Sequence, residues 1–324
     1  MKINKNGIII SLLMLSVFFL IAALILSDEF KTDKNAKVIL IPKVYDESND
    51  FWMSLISGAK SAAKEFQVEL TILAPDVEND YEKQKEYICE AIRQKPDVIA
   101  LTPIMYSEMT EEAKKVKEAG IKLILIDSKI DEEIEESYIG TNNIEAGIQL
   151  GTKMLDYVKK DTKIAIVSHV KEASTAIERE KGVREGLGKE EGRIQTVLYS
   201  NSDYDQAYIL TKQLMQEHPD IDLIVGLNLY STVGVARAIN EMKLGRKVNI
   251  VGFDNDIEGI RYLESGVINA LIVQKPFNMG YFGIQKAAEA AAGNAVERTI
   301  YSETEIITVD NIYISENQKL LFPF

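Results

Sequence analysis

From Val38 to Ile314 the chain repeats one unit: a short, continuously apolar run, then a longer segment whose apolar residues recur every three to four positions. Apolar runs without polar alternation are strands buried on both faces, and helical segments of ~10–16 residues between them imply a parallel sheet with helices packed on it. Val38–Ile41 is followed by Asp50–Phe66, where Phe51, Leu55, Ile56, Ala59, Ala62, Ala63 and Phe66 share one helical face. Lys60, Lys64 and Glu65 are left on the other. Val68–Leu73 is the next strand, then a charged helix through Ile88, Ala91 and Ile92. Val98–Leu101 and Ile121–Ile126 follow, and Gly120 stands where a helix end favours glycine.

The cycle breaks around Tyr138–Asn143 and starts again. Ile144–Val158 reads as a helix, with Leu150, Met154, Leu155 and Val158 on one stripe. Strands recur at Ile164–Val167, Val197–Tyr199, Leu223–Val225, Ile250–Phe253 and Val267–Val273. Pro276–Ala291 is one more helix, and Glu305–Ile314 the last strand. The expected fold class is α/β, with two Rossmann-like lobes, each built on a parallel sheet. A length of 324 residues fits two domains at ~150 residues each.

The first 36 residues obey different rules. Lys2 and Lys5 precede Ile8–Leu26, interrupted only by Ser11 and Ser16, and Asp28–Asn35 then reads as a polar tether. As a helix, residues 8–26 would span ~28 Å, about the hydrocarbon thickness of a bilayer. Flanking charges favour an inside N-terminus and an outside body. A cleaved signal has a shorter apolar core and a small-x-small junction, whereas here Ile25 occupies a position that should be small. An uncleaved anchor is therefore expected, with the body on the extracytoplasmic face of the cell membrane. No cysteine near the run invites lipoprotein processing.

Composition removes several functions. With 37 Lys+Arg against 50 Asp+Glu the net charge is −13, which repels a phosphate backbone, so no nucleic-acid partner is expected. One cysteine and two histidines supply too few ligands for a zinc or iron–sulfur site, so no metal and no cofactor is expected. The phosphate loops G-x-G-x-x-G and G-x-x-x-x-G-K-[ST] and the hydrolase elbow G-x-S-x-G do not occur, and no catalytic residue is assigned. His169, near a strand end, reads as a solvated loop residue, with a place lining a cleft as the alternative. Cys89 reads as a small core or boundary residue on a helix.

Binding groups are better represented. In open α/β sheets ligands sit beyond the carboxyl ends of the strands. There the chain places Asn49 with Phe51 and Trp52, then Asp127, Arg179, Asn228, Asp254 and Gln274. Carboxylates accept hydroxyl hydrogens, a guanidinium donates through a planar fork, amides do both, and aromatic rings cover C–H faces. Such a set suits a polyol. Each member also has a plain structural reading: Asn49 as a helix cap, Phe51 and Trp52 as core, Asp127, Asn228 and Asp254 as turn formers, Arg179 as one charge on a solvated face, Gln274 as a hinge residue.

From about Lys37 onward the chain resembles the type I periplasmic sugar-binding proteins of the ribose/galactose/xylose kind, the family that also supplies effector domains of lac-type repressors. Asn49-Asp50-Phe51-Trp52 resembles the family's Asn-Pro-Phe-Phe run, Asp127 the first residue of its Asp-Arg pair, and Arg179-Glu180-Lys181-Gly182 its Arg-Glu-x-Gly. Asn228, Gly252-Phe253-Asp254 and Gln274 match an Asn, a Gly-Phe-Asp and a hinge-side Gln. Tyr204 occupies a place where the family often carries an aromatic. The resemblance implies two lobes, an N-lobe of residues 37–140 plus 276–304 and a C-lobe of 141–275 plus 305–324, joined by three hinge crossings near Ser137–Thr141, Gln274–Asn278 and Ser302–Val309, and closing over a monosaccharide held by these nine residues. It also implies a receptor rather than an enzyme.

Two departures stand out. The Asp-Arg pair becomes Asp127-Ser128, with Lys129 next as a point charge in place of a fork, and the Asn-Asp pair opening a C-lobe helix becomes Asn228-Leu229. No helix-turn-helix stands ahead of Lys37, which sets the repressor reading aside. With the expected anchor, the likeness extends to tethered xylose-sensing proteins that signal to a membrane sensor histidine kinase. The alternative is a carrier delivering ribose, galactose or a related sugar to an ABC permease.

Overall fold

The computed structural model describes residues 35–245 and 247–322. The apolar stretch 8–26 and nearly all of the tether lie outside the described residues. Among the described residues no helix is long and apolar enough to cross a membrane.

The first sheet is built by β1 (Lys37–Ile41), β2 (Glu69–Ile72), β3 (Val98–Leu101), β4 (Lys122–Ile126) and β5 (Ser137–Thr141). Between them run α1 (Asp50–Glu65), α2 (Tyr81–Gln94) and α3 (Thr110–Glu118). The chain then enters α4 (Asn143–Met154) and a second sheet of β6 (Ile164–Ser168), β7 (Ile194–Tyr199), β8 (Leu223–Gly226), β9 (Asn249–Phe253) and β10 (Ala270–Val273). These strands are joined by α5 (Ser174–Leu187), α6 (Tyr204–Glu217), α7 (Leu229–Glu241) and α8 (Ile257–Glu264). After β10, α9 (Pro276–Ala291) and β11 (Thr299–Ser302) return to the first sheet. β12 (Glu305–Ile307) and α10 (Ser315–Leu321) finish on the second.

The strand orders are β11-β5-β4-β3-β1-β2 and β12-β10-β9-β8-β6-β7. Every pairing is parallel except β10 with β12. The chain thus passes between the sheets three times: after β5, after β10 and after β11. Strands reading VIAL or IAIVS are buried throughout because helices cover both faces, as unalternated apolar runs require. Each sheet carries one apolar cluster per face.

Five elements differ from expectation. β5 and β11 are strands whose serine, threonine and glycine content conceals them in the sequence. The last strand ends at Ile307 instead of Ile314, because Asn311 folds back, accepting from the Thr308 N–H at 2.7 Å and donating to the Ile306 carbonyl at 2.8 Å. β10 starts at Ala270, three residues late, since the amides of Val267 and Ile268 are spent on Tyr262. The helix expected over Ile144–Val158 ends at Met154 and closes with a 3₁₀ turn, Leu155–Tyr157.

Helix packing sets the position of the strand ends. α1 and α9 cross at Gly58 and Gly280, where an added methyl would overlap the Phe277 and Leu55 carbonyls respectively. Only glycine lets these backbones approach so closely. α1 begins the first half of the candidate site, and α9 begins just after Gln274.

Candidate functional site

The ends of β1, β4, β6, β8, β9 and β10 face a common cavity with about 320 Å³ of atom-free space. Eight of the nine residues expected from the sequence line it: Asn49, Phe51, Trp52, Asp127, Arg179, Asn228, Asp254 and Gln274.

Asn49 and Asn228 are helix caps and cavity residues at once. Their Oδ1 atoms accept from the Trp52 and Ser231 backbone N–H groups, at 3.2 and 2.9 Å, and satisfy the first turns of α1 and α7. Capping uses only the carbonyl oxygen, so each amide nitrogen remains as a donor.

Asp127 and Asp254 occupy equivalent places in the two sheets. Each follows a buried strand, each has left-handed backbone with φ of 64° and 67°, and each donates its N–H to the neighbouring strand at 2.8 Å, to Ile139 and Ile272. Aspartate tolerates this conformation better than most residues. Their charge environments differ. Burial acts to raise Asp127, but Lys43 at 3.0 Å, Arg179 and the Ser128 hydroxyl outweigh it and hold the carboxyl below its ordinary value. Burial dominates at Asp254 and raises it, against Arg179 at 3.9 Å and a 2.6 Å hydrogen bond from Gln274. Gln274 also accepts from Thr141 at 2.7 Å, which ties β5, β10 and Asp254 together beside two of the inter-sheet passages.

Arg179 sits inside α5, in its second turn, and is not on a solvated face: it is 3% exposed. Its Nε donates to Asn143 Oδ1 and one terminal nitrogen to the Leu227 carbonyl, both at 2.8 Å. The guanidinium lies over the Phe253 ring, 4.3 Å from its centre. Held on three sides, it presents its remaining N–H groups in a fixed direction.

Tyr204, the ninth expected residue, does not line the cavity. It opens α6 and packs behind Tyr230, with ring centres 4.6 Å apart and the Arg237 guanidinium on its other side. Tyr230 is the aromatic that reaches the cavity. Lys129 is also placed elsewhere than expected: its Nζ pairs with Glu178 at 2.9 Å and its backbone N–H donates to Ser174. Ser128 is buried and its hydroxyl serves Asp127.

Lys43, Glu78, His169 and Thr175 also line the cavity, and none was assigned to the site from the sequence. Lys43 lies two residues beyond β1, where only the strand-end rule could have pointed to it. Glu78 comes from the β2–α2 connection and accepts from the Trp52 indole N–H at 2.7 Å and from Ser202 of the second half at 2.9 Å. Burial raises Glu78, with Lys43 and these two donors opposing. His169, expected in solvent, is 2% exposed because it directly follows the fully buried β6. Burial first, then Arg179 and Lys43, press its imidazole well below the ordinary value, so it is neutral.

Direct bonds join the two halves around the cavity. Besides Glu78–Ser202 and Lys129–Glu178, the Tyr106 N–H donates to the Glu172 carbonyl at 2.8 Å. The cavity is therefore closed over, with polar groups of both sheets facing inward.

Comparison with known proteins agrees with this geometry. Residues 39–295 match the family model described as periplasmic binding protein domain. A ribose import binding protein of Bacillus subtilis is 25% identical over 263 residues, covering 81% of this chain and 84% of its own length. A solved structure described as a sugar transporter from Clostridium phytofermentans is 43% identical, with a TM-score of 0.80 over 85% of this chain and 99% of its own. That of a glucose-galactose binding protein from Geobacillus stearothermophilus is 27% identical, with a TM-score of 0.82 over 87% and 100%. A binding protein rather than an enzyme, the chain belongs to the periplasmic binding protein family, in its type I, sugar-binding branch.

Proposed function

We propose that this chain is an extracytoplasmic receptor for a monosaccharide, held by Asn49, Phe51, Trp52, Asp127, Arg179, Asn228, Asp254 and Gln274, with Tyr204 supporting Tyr230 from behind. The observation that carries the reading is one small cavity, walled by both sheets, in which buried carboxylates, amides and a guanidinium alternate with aromatic faces. Residues 37–140 plus 276–304 act as one lobe and 141–275 plus 305–324 as the other. Only the closed form engages the ligand with both, so binding shifts an open–closed equilibrium.

A pentose such as D-xylose is the first candidate, and a membrane sensor histidine kinase the first candidate partner. Both rest on the likeness to tethered xylose sensors and on the apolar stretch 8–26, read as an anchor. The names of the relatives favour a second reading: a substrate-binding component delivering ribose, galactose or a related sugar to an ABC permease.

Calorimetric titration with D-xylose, D-ribose, D-allose, D-galactose and D-glucose tests the common core of both readings. At least one should bind saturably, and Arg179→Ala should weaken it by roughly 1.5–3 kcal/mol, as for a lost charged hydrogen bond. Absence of binding by the whole panel rejects the sugar reading. Co-purification with a kinase ectodomain or with a permease separates the two partners.

A further inference from the structure

Among the cavity's side chains, one buried ring nitrogen has no hydrogen-bond partner among the described residues. His169 follows Ser168, whose carbonyl is pinned by the Ser200 N–H, the Ser200 hydroxyl and the Ser231 hydroxyl at 2.9–3.1 Å. The ring leaves the sheet end at a fixed place. Its Nε2 meets the Thr175 hydroxyl, in the first turn of α5, at 2.8 Å. Its Nδ1 is buried, and no described residue bonds to it. An orphaned ring nitrogen in a cavity walled by Arg179, Lys43, Asp127, Asp254 and Glu78 calls for a partner on the ligand.

We propose that His169 is a specificity-determining residue: its Nδ1 receives or gives one hydrogen bond to a single ligand hydroxyl, and Thr175 fixes the ring for that contact. This rests on the sugar-receptor reading and deepens it. The partner's chemistry follows from either tautomer. If Nε2–H donates to Thr175, Nδ1 is a bare acceptor. If Thr175 donates to Nε2, Nδ1–H is a donor. A hydroxyl satisfies both. A hydrogen or a methyl at the same carbon satisfies neither and leaves a buried nitrogen unpaired. His169 therefore discriminates between a sugar and its deoxy analogue at one position, from the second sheet alone.

The test uses the full chain, the sugars that bind it from the panel above, and the singly deoxygenated analogues of each. His169→Phe keeps the ring volume and removes both nitrogens. It should lower affinity for the parent sugar about tenfold to a hundredfold. For one deoxy analogue the loss should be about twofold or less, and for the others it should match the parent. Thr175→Val should give the same pattern at smaller amplitude, since it frees the ring without removing it. Equal losses for the parent and every analogue, or none, would overturn the role of His169 while leaving the receptor reading intact. Should the unsubstituted protein bind no sugar, the receptor reading falls and this role falls with it.

Discussion

At the scale of single residues, the cavity keeps opposite charges in contact and one imidazole neutral between cations. His169 takes a proton at about pH 6.5 in an unfolded chain, whereas the folded protein resists it because of burial and the nearby Arg179 and Lys43. A group depressed on folding contributes its stability above the unfolded value and loses it as the pH falls below that value. Glu78 and Asp254, both raised, act in the opposite sense: their contribution is complete at low pH and is lost as the pH rises through their folded values. Comparing variant with parent cancels these carboxylates. Ligand-free His169→Gln should therefore lose less thermal stability than the parent between pH 7.5 and 5.5, as read by the unfolding midpoint. Parallel decline in the two proteins would contradict a neutral, cation-flanked His169. Asp127 and Asp254 were legible from sequence because each ends a continuous apolar run, where strand and turn chemistry leave little freedom. Lys43, Glu78, Thr175 and His169 were not, because their importance comes from burial and, for Lys43 and Glu78, from partners tens of residues away. Arg179 was found through its resemblance to a motif, and its helical spacing alone would have left it in solvent.

At the scale of elements, α5 carries two cavity residues, Thr175 meeting His169 and Arg179 reaching Asn143 and Leu227, and its Ser174 receives Lys129. Its distance from α4 is set by Gly182, whose added methyl would strike the Ile144 carbonyl and the Gly147 Cα. Gly182→Ala should destabilise by about 1–3 kcal/mol through overpacking. Alanine's better helix propensity returns up to ~1 kcal/mol. The same displacement moves Arg179 off Asn143, so sugar affinity should fall as well. Urea unfolding and calorimetry on one preparation check both, and a variant as stable and as tight as the parent would show that α5 tolerates the shift. The alternation of strands and helices was readable because buried parallel strands are so uniformly apolar. β5 and β11 escaped notice because they lie beside the passages between sheets, where serine, threonine and glycine are tolerated.

At the scale of the whole molecule, the two halves around the cavity are joined by bonds that need no ligand. Lys129 follows Ser128, the position where the resemblance implies an arginine, and it spans from one half to Glu178 and Ser174 of the other. Since Lys129 and Glu178 are each only partly exposed, the pair should contribute at the level of ~0.2–1 kcal/mol and weaken with salt. Glu178→Gln should thus raise the apparent dissociation constant by up to about fivefold at low ionic strength and less at high. The doubly exchanged Lys129→Glu with Glu178→Lys should recover part of the loss. Identical titrations at both salt concentrations would remove the pair from the closing equilibrium.

Trp52 is the only tryptophan in the chain, and its indole N–H is bonded to a carboxylate that the opposite half also holds. All the indole emission of the protein therefore originates from one address, at the seam where occupancy and closure meet. The molecule carries its own optical reporter, so that a dilute, unlabelled sample could be titrated by colour and intensity alone.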